Sequence, residues 1–286
     1  MTGGVSESGP VNRALAAAAQ HHGVALGLGS GRVLLDDDVS AARAAGFRVR
    51  DIAPDVLLLA NLGAAQLRGY GPADCARLVR TCQADVLVLH LNAVQEAVQP
   101  GGDTRFGGTI ERIRALCAAL DVPVVVKEVG FGLAPQDVAT LIDAGVAGLD
   151  VAGAGGTNWA RIEGLRNEHA GRVAAAFRDW GWPTADAVRA ARAVLDERGA
   201  TGIVLVGSGG IDDGVDALKV LCLGADLAGL GRGLLAAAAG GPRAATEAVG
   251  VLVEQLRIAL WAAGAAGVHD LSPALLERAG SAAAGI

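Results

Sequence analysis

The chain has 286 residues, 52% of them hydrophobic, enough for one large core. Its formal net charge of −6 argues against non-specific nucleic-acid binding, which needs a basic face, but leaves small anionic ligands open. No apolar stretch of membrane-spanning length is free of charge or breaking glycine, and Met1-Thr-Gly-Gly4 leads into polar residues rather than a signal peptide, so a cytoplasmic protein without a membrane partner is expected.

In chain order, residues 1–4 read as the loop that follows a strand, yet no strand precedes them, and residues 10–22 read as a helix. Short apolar runs then recur at Val24–Gly29, Asp55–Ala60, Asp85–His90, Pro123–Val129, Ala147–Ala152, Thr201–Gly207 and Asp226–Gly231. Amphipathic segments separate them. In Thr109–Leu120, Ile110, Ile113, Leu116, Cys117 and Leu120 share a face. Pro135 opens the next helix, where its missing N–H is harmless, and Asp213–Leu223 forms another with Gly224 at its C-terminal cap. The glycines fall at the ends of apolar runs, so they punctuate elements rather than make a linker. Continuous apolar strands alternating with helices predict a parallel sheet covered by helices. Seven such units without a dinucleotide fingerprint after the first favour an α/β TIM (β/α)₈ barrel whose first strand is missing from the chain, forming a single domain over residues 1–286.

Polar and glycine-rich groups recur at one end of nearly every strand, the end that carries the active site in such barrels. They are Gly29-Ser30, Asn61-Leu-Gly63, His90-Leu-Asn92 with Gln95-Glu96, Lys127-Glu128, the 153–157 loop, Gly207–Gly210 and Gly229–Gly233. Gly209-Gly210-Ile211, read as opening the next helix, and Gly231-Arg232 stand after the last two strands, the usual phosphate site of this fold. The alternative for these glycines is a pair of tight turns. Lys127 either points into the barrel mouth towards an anionic or electron-rich ligand or pairs with Glu128 or another carboxylate. Glu96 is the Mg²⁺ candidate, since that ion takes one or two carboxylates plus phosphate oxygens; the alternative is a solvated loop glutamate. His90 either donates to a phosphate or is satisfied by its surroundings. The four cysteines show no metal-ligand spacing and read as buried thiols. Trp180 and Trp182 read as packing residues of the long segment between the fifth and sixth apolar strands.

Taken together, these motifs resemble the type 2 isopentenyl-diphosphate isomerases, FMN-dependent (β/α)₈ enzymes. The resemblance rests on Met1-Thr-Gly-Gly4, Gly29-Ser30, Asn61-Leu-Gly-Ala64, His90-Leu-Asn-Ala-Val-Gln-Glu96 with Gln99-Pro100 and Asp103, Val126-Lys-Glu-Val-Gly130, Asp150–Thr157 with Trp159, and Ser208-Gly-Gly-Ile211, in family order along nearly the whole chain. It implies interconversion of isopentenyl and dimethylallyl diphosphate by a redox-neutral reaction on FMN that NADPH keeps reduced, the reduced flavin acting as acid–base, with Mg²⁺ holding the diphosphate. It places Thr2, Ser30, Asn61, Lys127, Thr157, Gly210, Ile211, Asp212, Gly231 and Arg232 at FMN. It places His90 and Asn92 at the diphosphate, Gln95 at the reacting carbons and Glu96 on the metal, in a homo-oligomer.

The chain departs from the family pattern at four places. The basic N-terminal stretch that grips diphosphate is absent, Gly31 replaces a common Gln, Asp212 replaces a common basic residue, and Gly231 replaces Ala. One alternative is an α-hydroxy-acid oxidase-like barrel, which needs a late His-Gly-x-Arg; no histidine lies between His169 and His269. Another is a truncated barrel that binds flavin without efficient catalysis.

Overall fold

The computed structural model describes residues 8–36 and 39–277. In chain order its elements are α1 (Ser8–His22), β1 (Leu26–Ser30), α2 (Ala41–Ala45), β2 (Leu58–Gly63), α3 (Pro72–Cys82), β3 (Val86–His90), α4 (Ala93–Val98), α5 (Thr109–Ala119), β4 (Val124–Lys127) and α6 (Pro135–Asp143). There follow β5 (Gly148–Asp150), α7 (Trp159–Gly164), α8 (Glu168–Ala175), α9 (Thr184–Glu197), β6 (Val204–Ser208), α10 (Gly214–Cys222), β7 (Leu227–Gly229), α11 (Leu235–Ala239) and α12 (Pro242–Ala262). Every expected strand is present, and all seven pair in parallel in simple sequence order, β1 to β7.

The register explains the burial. Strand neighbours in a parallel sheet share a face, and successive residues alternate between faces. One face carries Leu58, Leu62, Leu87, Leu89, Val126, Leu149 and Leu205, each at most 1% exposed. These pack under Leu78, Ile113, Leu116, Val138, Leu141 and Leu195 from the helices. The opposite face lines the lumen, and its lower layer stays half open: Val204 is 41% exposed and Leu227 49%. That is the expected signature of a curled sheet one strand short of closure, since β1 and β7 are edges among the described residues. The helical layer bridges the same gap. Ala14 and Ala18 of α1 pack on Ala245 and Val249 of α12 and on Ala238 of α11, and small side chains let the helix backbones approach closely.

Two aspartates and an arginine tie the strand starts together. Asp85 accepts from the Leu58 N–H (2.8 Å), and Asp226 accepts from the Leu205 N–H (2.7 Å). The Arg50 guanidinium donates to the carbonyls of Gln83, Ala53, Pro54 and Val56 and pairs with Asp85. Burial pushes the Cys75 thiol up to about 11 and the Cys82 thiol up to about 12, as expected of inert thiols. Among the described residues no helix is long and apolar enough to cross a membrane.

Candidate active site

The upper lumen layer is polar. Gly63 of β2, His90 of β3, Lys127 of β4 and Asp150 of β5 are lateral neighbours in the register, so their side chains share the inner face. Asn61 stands one step below them, paired in register with Ser30 of β1. His90 is 4% exposed, and its Nδ1 lies 2.7 Å from Asn61 Oδ1. An amide oxygen only accepts, so Nδ1 carries the proton. Burial, reinforced by the nearby Lys127 charge, pulls the His90 pKa down to about 3. The ring is therefore neutral, and its single proton is committed to Asn61. Nε2 offers a lone pair on the Gly63 side, where a Cβ would approach it to 3.0 Å.

The Lys127 ammonium donates to the Glu128 carbonyl (2.8 Å). Burial lowers its pKa, opposed first by Asp150 and then by Glu128. The Glu128 carboxylate is turned elsewhere: its Oε2 accepts from the N–H groups of Val129 (2.7 Å), Gly130 (2.9 Å) and Phe131 (2.7 Å). Burial still raises it to about 7 against those three bonds. The direct Lys127–Glu128 side-chain pair considered from sequence does not form; the lysine bonds the main chain of that residue instead.

The 90s loop makes a second polar group. Asn92 sits at the N-cap of α4 but makes no capping bond. Its Nδ2 instead donates to Glu96 Oε1 (2.9 Å), and its buried Oδ1 has no hydrogen-bond partner among the described residues. The other Glu96 oxygen accepts from the Asp103 N–H (2.8 Å). Gln95, 9% exposed, donates through Nε2 to Glu163 Oε1 on α7 (3.2 Å). Glu163 is 3% exposed and pairs with Arg166 through its other oxygen. This short helical insertion packs on the loop through Val98, Phe131, Ala160 and Ala174. Trp180, assigned to packing from sequence, is 58% exposed and meets Phe177 edge-on with ring centroids 6.0 Å apart.

Two glycine loops lock together above β5 and β6. Gly209 and Gly210 leave β6 at φ +106° and +72°. A Cβ on Gly210 would meet the Gly155 carbonyl at 2.5 Å, and one on Gly156 would meet the Gly210 nitrogen at 2.6 Å. Thr184 Oγ donates to the Gly209 carbonyl (2.6 Å) and fixes the stack. The next helix keeps the start expected at Asp213, but the glycines stand outside it. Gly209-Gly210-Ile211 does not open α10, because positive φ is incompatible with a right-handed helix. The helix starts at Gly214, and Asp213 fills its N-terminus by accepting from the N–H groups of Val215 (2.9 Å) and Asp216 (2.8 Å). Likewise Gly231-Arg232 leads into a single 3₁₀ turn, Arg232–Leu234.

The backbone, rather than a helix dipole, is what these loops can offer to a phosphate. Gly231 has open space where a Cβ would stand, so a ligand can approach its main chain closely. Ile211 is buried and available only through its backbone, whereas Asp212 and Arg232 are exposed. The Asp212 carboxylate is thus in contact with water. A Cβ-bearing side chain at Gly31 would press on the buried Leu78 at 2.6 Å, a local reason for glycine there.

Among the residues expected at the flavin, Ser30, Asn61 and Lys127 line the inner face, while Thr157, Gly210, Ile211, Asp212, Gly231 and Arg232 belong to the loops above β5, β6 and β7. Thr2 lies outside the described residues. Glu163 was not anticipated from sequence, and Asp150 and Ser208, which stand inside the strand-end motifs, had no role of their own there. Glu163 stands one helical turn after Trp159, so the helical phase of that motif carried the signal. The donor set fits FMN: polar side chains at the strand ends, and a glycine cradle at the phosphate loops. Glu96 with the unpartnered Asn92 oxygen also suits a hard cation held by one carboxylate and ligand phosphates. No cluster of three metal-ligating side chains exists among the described residues.

Comparison with known proteins decides the family. The chain is 47% identical over 279 residues to an isopentenyl-diphosphate delta-isomerase of Stutzerimonas stutzeri (strain A1501), covering 96% of this chain and 79% of that protein. It is 50% identical over 273 residues to the enzyme of that name from Xanthobacter autotrophicus, covering 95% and 78%. The chain belongs to the isopentenyl-diphosphate delta-isomerase family. The FMN-dependent dehydrogenase family model matches residues 90–278, which makes this the FMN-dependent type. In structure, the chain is similar to a mandelate oxidase variant carrying an FMN adduct (TM-score 0.60, 23% identity, 90% of this chain and 71% of that one). It is also similar to a flavocytochrome b2 variant with benzoylformate (TM-score 0.64, 19% identity, 94% and 65%). At that identity the likeness concerns the barrel fold alone, while the isomerase family rests on the closer relatives.

Proposed function

We propose that this chain interconverts isopentenyl and dimethylallyl diphosphate on a reduced FMN, with NADPH as reductant and Mg²⁺ on the substrate diphosphate. The observation that carries the reading is the hydrogen-bonded set of buried Asn92, Gln95 and Glu163 with half-buried Glu96, on the loop that follows the β3 end of the His90–Lys127 row, in a family whose relatives carry that name. Ser30, Asn61, Lys127, Thr157 and the backbones of Gly210–Asp212 and Gly231-Arg232 hold the flavin, together with Thr2. When bound and reduced, the flavin supplies the acid–base strength that an unactivated alkene requires and that ordinary carboxylates supply poorly. Gln95 contributes orientation: an amide is a weak acid, and its nitrogen is already held by Glu163. Glu96 takes the metal, and Asn92 Oδ1 accepts a donor from the bound ligand shell. His90, neutral, meets the diphosphate region with a lone pair rather than a proton unless substrate binding brings a second proton. The chain acts as one barrel unit, in the cytoplasm and as a homo-oligomer, on the resemblance of its motifs.

The test supplies purified protein with FMN, NADPH, Mg²⁺ and isopentenyl diphosphate under anaerobic conditions and follows dimethylallyl diphosphate. Stoichiometric flavin uptake without any product refutes the isomerase reading and leaves a flavin-binding barrel. The oxidase-like alternative draws on the fold neighbours; oxygen-dependent turnover of a 2-hydroxy acid would decide in its favour.

A further inference from the structure

Asp150 has no assigned task in the reading above, yet a carboxylate on the inner face needs a reason. Its Oδ1 accepts from Ser208 Oγ (2.5 Å) and from the Ala152 N–H (3.1 Å). The second bond comes from a strained residue. Ala152 is a non-glycine at φ +35°, held there on its other side by the Gly132 N–H donating to its carbonyl (3.2 Å). The molecule thus accepts backbone strain in a loop that fixes one orientation of this carboxylate. In register, Asp150 is the lateral neighbour of Lys127 on β4, on the same face.

The other groups around Lys127 supply less of its counter-charge than Asp150 does. His90, its neighbour on β3, is neutral, and any charge it took would repel the lysine. Glu128 lies on the opposite side of the strand alternation, and its carboxylate is bound to the backbone of residues 129–131. Ser208 on β6 is uncharged and spends its hydrogen on Asp150. Asp150 is the carboxyl group on an adjacent strand that faces the lysine; burial raises its pKa, opposed first by the Lys127 charge and then by the Ser208 and Ala152 hydrogen bonds.

We propose that Asp150 is a positioning residue that acts as the counter-ion of Lys127, locked by Ser208 and the left-handed Ala152 backbone, and keeps the lysine ammonium charged at the strand ends. The two groups are register neighbours on one face without a direct ion-pair contact, so Asp150 acts on Lys127 through its field; the consequence for the cofactor rests on the reading that Lys127 faces the flavin. A charged lysine there favours negative charge on the ring system it faces, and a neutral one does not. Burial alone pulls Lys127 towards its neutral form, with Asp150 the leading charge that opposes this. Removing the carboxylate therefore moves the lysine midpoint downwards.

The experiment follows the Lys127 side chain by carbon NMR in flavin-free protein, with Lys127→Met identifying the resonance, in the parent and in Asp150→Asn. The midpoint is expected to fall by about 1–3 pH units in the variant, the range typical of losing one close opposite charge. An unmoved midpoint overturns the proposal. Should Asp150→Asn fail to fold, Lys127→Gln reports the same pair from the other side: the Asp150 carboxyl midpoint should rise, and a constant value overturns the pairing. FMN-loaded Asp150→Asn is then titrated by absorbance. It should gain a spectral transition at the lowered lysine midpoint that the parent lacks. A lysine shift without that transition keeps the counter-ion and removes the flavin-facing placement, so the two readings fail separately.

Discussion

Acidification from pH 7 to pH 5 isolates the buried His90. Its pKa is about 3 folded against an ordinary 6.5, so the unfolded chain takes up a proton over this interval and the folded chain does not. A depressed folded value places the contribution to stability above pH 6.5 and removes it as pH falls towards 3. The unfolded imidazole is about one-quarter protonated at pH 7 and almost fully protonated at pH 5, so proton linkage gives a loss of about 2 kcal/mol over the interval. The figure hardly depends on the folded value, because any midpoint below about 4 leaves the folded ring neutral at pH 5. Urea unfolding of the parent and of His90→Gln at both pH values checks it, since the other titrating groups cancel in the comparison. The parent should lose about 2 kcal/mol more than the variant on acidification. Equal losses would mean that His90 is charged or solvated in the native state, and the neutral-ring reading of the site would fall.

Three further outcomes follow from the same geometry. Glu96→Gln should weaken Mg²⁺-dependent substrate binding about tenfold or more while FMN affinity, read by fluorescence titration, stays within about twofold; equal losses would assign Glu96 a structural role. Glu163→Ala leaves the buried Gln95 amide unpaired, so kcat should drop about 10–100-fold with a stability loss of about 1–3 kcal/mol, while Glu163→Gln, which keeps an acceptor oxygen, should restore much of the stability in a denaturant titration. Arg50→Ala strips donors from four carbonyls and the Asp85 carboxylate at the strand starts and should destabilise by about 2–4 kcal/mol in urea unfolding, with flavin affinity unchanged.

Much of this molecule was legible in its sequence because its strands are buried on at least one face and therefore read as unbroken apolar runs. All seven were placed, as were the capped helices at Pro135 and Asp213. The 90s loop was legible for a related reason: groups that are costly to desolvate, such as Asn92, Gln95 and Glu96, stand where a simple turn would not need them. The helix start at Asp213 was legible, but the separation of Gly209-Gly210 from it was not, because glycine φ follows from what surrounds it. Here the facing 153–156 loop leaves no room for a Cβ and both residues take positive φ. The protonation of His90 and the side-chain pairing of Glu128 were equally out of reach, since each depends on which neighbour the register supplies.

The sequence by itself therefore determined the alternation of strands and helices, the polar end of the sheet and the family. Those properties are local, written in periodicity and in contiguous motifs. Only the tertiary structure decided the partners: His90 with Asn61, Gln95 with Glu163 across 68 residues, and Asp150 with Ser208 across 58. Charge state and orientation are set by burial and by distances between strands, and those exist only once the sheet has curled.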